Sequence, residues 1–124
     1  MLVLLNDGIR YDGFQCLRIE DIRSMRPDPR AAFFKAALRQ RGLRRPRRPR
    51  VSLERTADMV ATAGRAFPLV TIHREEVDPS CCWIGRVIDV RRGRVSLLEL
   101  DPMARWESEP TAHRLSELTR LDVG

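Results

Sequence analysis

The sequence predicts an α+β protein: a helix followed by a five-stranded, strongly bent antiparallel sheet, with an N-terminal β-hairpin or strand unit and a further helix before it. Two observations support this class. From Leu69 onward the apolar residues alternate with polar ones, and turn residues recur roughly every 8 to 14 positions. Before that point, two segments, 30–41 and 53–66, are rich in helix-forming residues with helical apolar spacing.

The N-terminal segment is predicted to form short strands. The apolar run LVLL at 2–5 ends at Asn6-Asp7-Gly8, which are residues that favour turns, and a return strand is expected over 9–14. The stretch 14–26 continues with strand character until Pro27-Asp28-Pro29 interrupts it.

The first predicted helix covers residues 30–41. Asp28 is the expected N-cap, with Pro29 at the first helical position, and Phe33, Phe34 and Leu38 contribute to the apolar face. Gly42 is the expected C-terminal cap. Residues 43–51 alternate arginine with Pro46 and Pro49, which is typical of an extended linker.

The second predicted helix covers residues 53–66, with Ser52 as its N-cap. Leu53, Ala57, Val60, Ala61 and Gly64 form a narrow stripe of small residues, and Gly64 either allows close packing or ends the helix.

Four strand segments are predicted after this helix: 69–76, 81–90, 95–100 and 111–123, the last being one bent strand or two short ones. The expected organisation is therefore an N-terminal unit at 1–42, a linker at 43–51 and a helix-plus-sheet unit at 52–124.

Two parts of the chain resemble each other. RIEDIRSM at 18–25 matches RLSELTRL at 114–121, and LLNDGIRYD at 4–12 matches LLELDPMARWE at 97–107 if two extra residues are allowed. This indicates an internal duplication in which the first copy begins at its third strand. The chain would then be a truncated form of a longer protein, or its N-terminal strands would complete a sheet elsewhere.

The order of one helix and five short, bent strands over 52–124, with the fragment WIGRVIDVRRGRVSLLELD, resembles the Sm-like (SH3-type) small β-barrel. The RNA-binding members of that family carry Asp and Asn between the second and third strands, and Arg-Gly near the fourth and fifth. Asp89 matches the first position, no Asn follows it, and Arg92-Gly93 lies in a different loop. The resemblance therefore implies a barrel, which also occurs in bacterial regulatory domains, and it implies no functional residues.

The positive charge of the chain is concentrated in one segment. The net charge is +6, and residues 39–50 contain seven arginines and no acid; the rest of the chain has 16 basic and 17 acidic residues. Seven guanidinium groups could bind phosphates without reading sequence. The other interpretation is a solvated linker. The arginines concerned are Arg39, Arg41, Arg44, Arg45, Arg47, Arg48 and Arg50.

The cysteines and histidines give weak indications of chemistry. Cys81 and Cys82 are adjacent, so a strand would point them to opposite faces, and we expect buried thiols and no metal site. His73 and His113 could act in acid–base chemistry with nearby carboxylates such as Glu75, but a histidine among many carboxylates is unremarkable.

The two tryptophans are expected to differ in exposure. Trp83 lies in an apolar run and is predicted to be in the core. Trp106 is flanked by Arg105 and Glu107, so it is predicted to be partly exposed and is the candidate interface residue.

Taken together, these features predict a non-enzymatic binding or assembly module without a cofactor. The expected partner is a second copy, bound through open sheet edges. The alternatives are non-specific nucleic-acid binding through 39–50, and a small enzyme or ligand-binding regulatory domain that uses His73. The chain has no apolar run of about 20 residues and no signal-peptide pattern, so no membrane partner and a cytoplasmic location are expected.

Overall fold

A sheet of seven antiparallel strands forms the framework of the protein in a computed structural model that describes all 124 residues. Two α-helices, α1 (Ala31–Gln40) and α2 (Thr56–Ala66), complete the predicted α+β fold. The sheet is open and does not close into a barrel, so the five-stranded Sm-like barrel is not confirmed. The strands are β1 (Leu2–Leu5), β2 (Tyr11–Leu17), β3 (Val70–His73), β4 (Cys82–Arg91), β5 (Arg94–Glu99), β6 (Thr111–Arg114) and β7 (Arg120–Val123).

The N-terminal strands belong to the same sheet as the C-terminal ones. The strand order is β1-β2-β7-β3-β4-β5-β6, and β2 pairs with β7 so that Cys16 lies opposite Leu121. The division into units 1–42, 43–51 and 52–124 stays a prediction, and the sheet runs across it.

The core lies between one face of the sheet and α2. Val60 and Ala63 on α2 are fully buried, as are Ile72 on β3 and Leu97 on β5. Gly64 allows the close approach, because a Cβ there would lie 2.6 Å from Cβ of Val87 on β4. Of the two predicted roles for Gly64, close packing is therefore the one observed.

Helix α2 begins later than the sequence predicts. Its N-cap position is Arg55, and no side chain caps the first turn. Ser52 precedes this position and is not the cap. Its backbone N–H donates to Oγ1 of Thr62 (2.9 Å), which holds the preceding segment beside the helix. Leu53 therefore lies outside the helix and is exposed.

Helix α1 agrees with its predicted limits to within one residue. Gly42 follows it with φ of +68°, and the N–H of Leu43 donates to the carbonyl of Leu38 (2.9 Å), so glycine ends this helix as predicted. Only Leu38 of this helix is buried. Phe33 is exposed, so the buried face is narrower than predicted.

The segment 14–26 is not one strand. Strand β2 ends at Leu17, and a first 3-10 helix, Ile19–Asp21, follows Arg18. The segment 111–123 forms two short strands, as one of the two predictions had it, with a second 3-10 helix, Leu115–Glu117, between them.

The hairpins β1–β2 and β5–β6 share one turn geometry. The N–H of Asn6 donates to the carbonyl of Arg10 (3.0 Å), and the N–H of Asp101 donates to the carbonyl of Arg105 (2.8 Å). In return, the N–H of each arginine donates to Oδ1 of its Asn or Asp, at 3.2 and 2.9 Å. Residues 2–12 therefore correspond to 97–107 without a gap, which corrects the two-residue insertion expected from sequence.

The equivalence continues beyond the hairpins. Ile9 and Ala104, at matching turn positions, have φ of 53° and 58°. Strands β2 and β6 each lead through an extended arginine, Arg18 or Arg114, into a 3-10 helix. We call 2–26 the first half-unit and 97–122 the second half-unit.

Cys81 and Cys82 are exposed, so the prediction that they are buried is wrong. Cys81 precedes β4 and Cys82 begins it, where the face of the sheet is uncovered. The buried cysteine is Cys16. Neither α-helix is long and apolar enough to cross a membrane.

Candidate functional site

The two edges of the sheet differ in how well they are protected from pairing with another chain. Strand β6 is bordered by Pro110 and ends at Arg114, and proline and charge both oppose pairing. Strand β1 has the sequence LVLL, with no charge and no proline. Leu2 and Leu5 on it are exposed. The β1 edge is therefore the less protected edge.

Apolar side chains that follow β2 in the first half-unit are also exposed. Ile19 and Met25 are 86% and 74% exposed, and Ile22 is also exposed. Their equivalents in the second half-unit are buried: Leu115, Leu118 and Leu121. We call Ile19, Ile22 and Met25 the apolar patch.

The apolar patch is uncovered because the first half-unit lacks neighbours that the second half-unit has. Strand β7 of the second half-unit pairs with β3, whereas the corresponding residues of the first half-unit, 24–26, form no strand and are exposed. The patch is not among the features predicted from the sequence. Its signal is nevertheless present there, since Ile19, Ile22 and Met25 align with Leu115, Leu118 and Leu121 in the repeat.

His73 lies in a polar cluster that links β3 to β7. Its Nε2 is 3.1 Å from Oδ2 of Asp122, and Nη2 of Arg120 lies 3.0 and 2.9 Å from the two ring nitrogens. Arg120 also pairs with Glu75 (3.2 Å), whose other oxygen accepts a hydrogen bond from Thr119 (2.9 Å). Burial, and then the charge of Arg120, lower the pKa of His73 below its ordinary value of 6.5 and outweigh the attraction of Asp122.

Two atoms of this cluster are buried without a hydrogen bond. They are Oδ1 of Asp122 and Nε of Arg120, although the latter lies 3.3 Å from Oδ2 of Asp122. That distance allows electrostatic attraction, but the angles do not meet hydrogen-bond geometry.

His113 lies in a second cluster on the core side of the sheet. Nε2 of His113 is 2.7 Å from Oε1 of Glu99, and Nδ1 is 3.3 Å from Nη1 of Arg74, which also pairs with Glu117. Because arginine only donates, Nδ1 accepts and Nε2 carries the proton donated to Glu99. The half-buried Trp83 packs on this cluster, with ring centroids 5.4 Å from His113 and Arg74 5.0 Å above the indole.

Both histidines therefore contact carboxylates, but neither histidine lines one of the three principal cavities. These cavities lie around α2, the first 3-10 helix and the linker, and two of them are also lined by members of the His73 cluster, namely Glu75, Thr119 and Arg120. Each cluster holds strands together through charge-assisted hydrogen bonds. No group of three or more His, Cys, Asp or Glu side chains converges as a metal site.

The seven arginines of 39–50 are all exposed, and none of them forms an ion pair. Only Arg41 forms side-chain hydrogen bonds, which its guanidinium donates to the carbonyls of Gly8 and Ile9. Segment 39–50 therefore exposes arginines whose positive charge is not paired with a carboxylate.

Trp106 is half-exposed, as predicted, and its role as an interface residue stays a prediction. The guanidinium of Arg86 lies 5.3 Å above its ring, and the residue bridges to Leu100. In the repeat it corresponds to Tyr11, which pairs with Leu5. The aromatic therefore closes the hairpin loop in both half-units.

Comparison with known proteins finds no matching family model, no matching curated protein and no matching solved structure. The functional interpretation therefore rests on the geometry of this chain.

Proposed function

We propose that the protein is a non-enzymatic binding and assembly module that pairs a partner strand with the free edge of β1. The observation that carries this proposal is an apolar, uncharged edge strand without the charges or prolines that natural sheets use to prevent pairing. Pairing of this kind gains main-chain hydrogen bonds along the edge and buries alternate side chains.

A second copy is the simplest partner, through two β1 strands related by a two-fold axis. Such an interface is self-complementary, because the two-fold axis brings the same apolar strand of each copy together. The Sm-like barrel suggested by residues 52–124, the internal duplication and the cytoplasmic location belong to this same proposal, as a description of an assembly protein.

Sedimentation equilibrium across a wide concentration range tests the edge. We expect the wild-type chain to self-associate with rising concentration and the double variant Leu2→Lys/Leu5→Lys to remain monomeric. The matched control, Ile84→Lys/Ile88→Lys, also places two lysines at exposed apolar residues but on β4, which three strands separate from β1, and it should behave like the wild type. A wild-type chain that stays monomeric throughout would rule out pairing of two β1 edges.

Non-specific nucleic-acid binding is a second candidate, favoured by the exposed and unpaired arginines of 39–50. Each phosphate contact releases condensed counterions, so binding should weaken steeply as salt rises. The two prolines, which are half-buried, limit the freedom of the segment and lower the entropy lost on binding.

Fluorescence anisotropy with labelled single-stranded RNA and duplex DNA tests this candidate at low and at physiological salt. Arg44→Ala/Arg47→Ala/Arg48→Ala should lose binding. A triple variant in the β4–β5 turn, Arg91→Ala/Arg92→Ala/Arg94→Ala, removes the same charge from another exposed site and should retain it. Equal losses in the two variants would show that net charge alone is responsible.

A further inference from the structure

The free β1 edge and the apolar patch both lack the neighbours that cover their equivalents in the second half-unit, and the inference from this difference rests on the binding function proposed above. Both features belong to the first half-unit. The second half-unit has the same hairpin turn, strands and 3-10 helix, and there the corresponding edge and side chains are covered.

Strands β3 and β4 and helix α2 together cover both features in the second half-unit. Strand β4 pairs with the edge of β5, which corresponds to β1. Strand β3 pairs with β7, whose residues 120–122 correspond to the exposed residues 24–26. The hairpin thus completes the sheet beside Leu121, and α2 packs on the second 3-10 helix.

The register in the second half-unit transfers directly to the first. Val87 lies opposite Leu97, whose equivalent is Leu2. Ile72 lies opposite Leu121, whose equivalent is Met25. A hairpin like β3–β4 would therefore place an apolar residue opposite each of these two exposed side chains.

We propose that the β1 edge and the apolar patch together bind a β-hairpin of a partner polypeptide that has the length and apolar alternation of β3–β4. One strand of the partner pairs with β1 and the other pairs with residues 24–26. Pro27, the next residue, ends the second pairing, because it has no N–H to donate.

Self-association does not complete this surface. Pairing two β1 strands would cover the edge but would not supply a strand for residues 24–26. Exchange of the β3–β4 hairpin between two copies would not cover the surface either. Each chain has one such hairpin but two half-units that need one. The occupant is therefore an additional hairpin.

The probe is a synthetic peptide of residues 69–91 with both cysteines replaced by serine, added to the full chain labelled at isoleucine and methionine methyl groups. Methyl NMR should show shifts at Ile19, Ile22 and Met25. The exposed Ile84 and Ile88 on β4 report non-specific binding and should not shift. The control peptide carries Val70→Asp and Ile72→Asp, which remove its apolar face, and should not bind.

Two variants of the full chain separate this inference from the proposed function. Ile19→Lys/Met25→Lys should weaken peptide binding by about tenfold or more, the scale of effect expected when central apolar contacts are lost, and Leu5→Lys should weaken it as well. All three side chains are exposed, so the variants should fold, and circular dichroism checks this.

Each result decides a different point. If Leu5→Lys abolishes binding and Ile19→Lys/Met25→Lys does not, the edge binds strands but the composite surface is overturned. If the peptide does not bind at all, or shifts Ile84 and Ile88 equally, the inference fails while the sedimentation result still decides the proposed function. Conversion of the chain to a dimer without peptide, with shifts at Ile19 and Met25, would assign the surface to a second copy and overturn the hairpin partner.

Discussion

Gly64 shows how one residue determines the distance between a helix and the sheet. Its position on α2 faces Val87 so closely that a Cβ would fall within 2.6 Å of that side chain. The missing side chain lets Val60 and Ala63 reach the core and become fully buried. Alanine at this position would stabilise the helix by about 1 kcal/mol. Its Cβ would clash with the Cβ of Val87, however, and that atom is bonded to the backbone of β4 and has little freedom to move.

Gly64→Ala is therefore expected to destabilise the protein by about 1–2 kcal/mol, because overpacking outweighs the gain in helix propensity. Chemical denaturation measures the change. Arg65→Ala, at the next and exposed position, should leave stability nearly unchanged. A stabilised Gly64→Ala variant would mean that α2 can move away from β4 at little cost.

His73 makes stability depend on pH in a definite direction. Its pKa is lowered in the native protein by burial and by Arg120, so between that value and about 6.5 the unfolded chain binds more protons than the native chain. This contribution to stability is therefore present above about pH 6.5 and is lost as the pH falls toward the native pKa.

Replacing His73 with Gln should reduce the loss of stability between about pH 7 and 5.5. Urea denaturation at several pH values measures the slope for wild type and variant. His113 and the carboxylates are present in both proteins, so the difference between the two slopes is due to His73. A variant with the wild-type slope would mean that His73 titrates alike in the folded and unfolded chains.

At the scale of elements, the recurring hairpin turn is a local structure set by one side chain. Asn6 and Asp101 each accept a hydrogen bond from the N–H of the arginine four residues later. Asp101 also accepts from the N–H of Met103 (2.8 Å), and these backbone bonds help to lower the pKa of its carboxyl group. Either an amide or a carboxylate can serve, because both present an oxygen acceptor.

Exchanging these side chains should therefore be tolerated, whereas removing them should not. Asn6→Asp and Asp101→Asn are expected to keep Tm close to that of the wild type. Asn6→Ala and Asp101→Ala are expected to lower it, because the turn loses its acceptor. Thermal unfolding by circular dichroism measures all four. Alanine variants indistinguishable from the exchanged ones would show that the strands alone hold the turn.

The two 3-10 helices show that equivalent elements can have different surroundings. Leu115 and Leu118 are buried, whereas Ile19 and Ile22 are exposed. Local geometry is the same because it follows from the arginine-led sequence in each half-unit. Burial differs because α2 packs on the second 3-10 helix and β3 pairs with β7, the strand that follows it.

At the scale of the whole molecule, the N-terminal strands complete the core of the C-terminal unit. Phe14 and Cys16 on β2 are buried in the main core cluster, and β2 covers the edge of β7. Residues 52–124 alone would leave this edge open and this part of the core uncovered. The predicted separation between 1–42 and 52–124 therefore has a direct test.

Phe14→Ala should destabilise the full chain by about 3–5 kcal/mol, the usual cost of removing a buried phenylalanine ring. A chain containing only residues 52–124 should be less stable than the full chain and more prone to associate. Denaturation and light scattering measure both. A fragment as stable and as monomeric as the full chain would show that the N-terminal strands are an independent appendage.

Sequence alone determined the local structure of this protein with fair accuracy. Turn residues at Asn6-Asp7-Gly8 and Arg92-Gly93, helix-forming composition in 30–41, and alternation after Leu69 all act between near neighbours, so their effects can be read from adjacent positions. The end of α1 at Gly42 was predicted for the same reason. The repeat was also visible, although its alignment needed the hydrogen bonds of the two turns.

Only the tertiary structure decided which strands pair and which side chains are buried. The pairing of β2 with β7 joins residues about 100 positions apart, and no local pattern specifies such a partner. The exposure of Cys82, the clusters around His73 and His113, and the apolar patch likewise depend on which distant parts of the chain come together. The half-units have similar sequences and turns, but α2, β3 and β4 cover the side chains of only one, and the edge and apolar side chains of the other stay exposed.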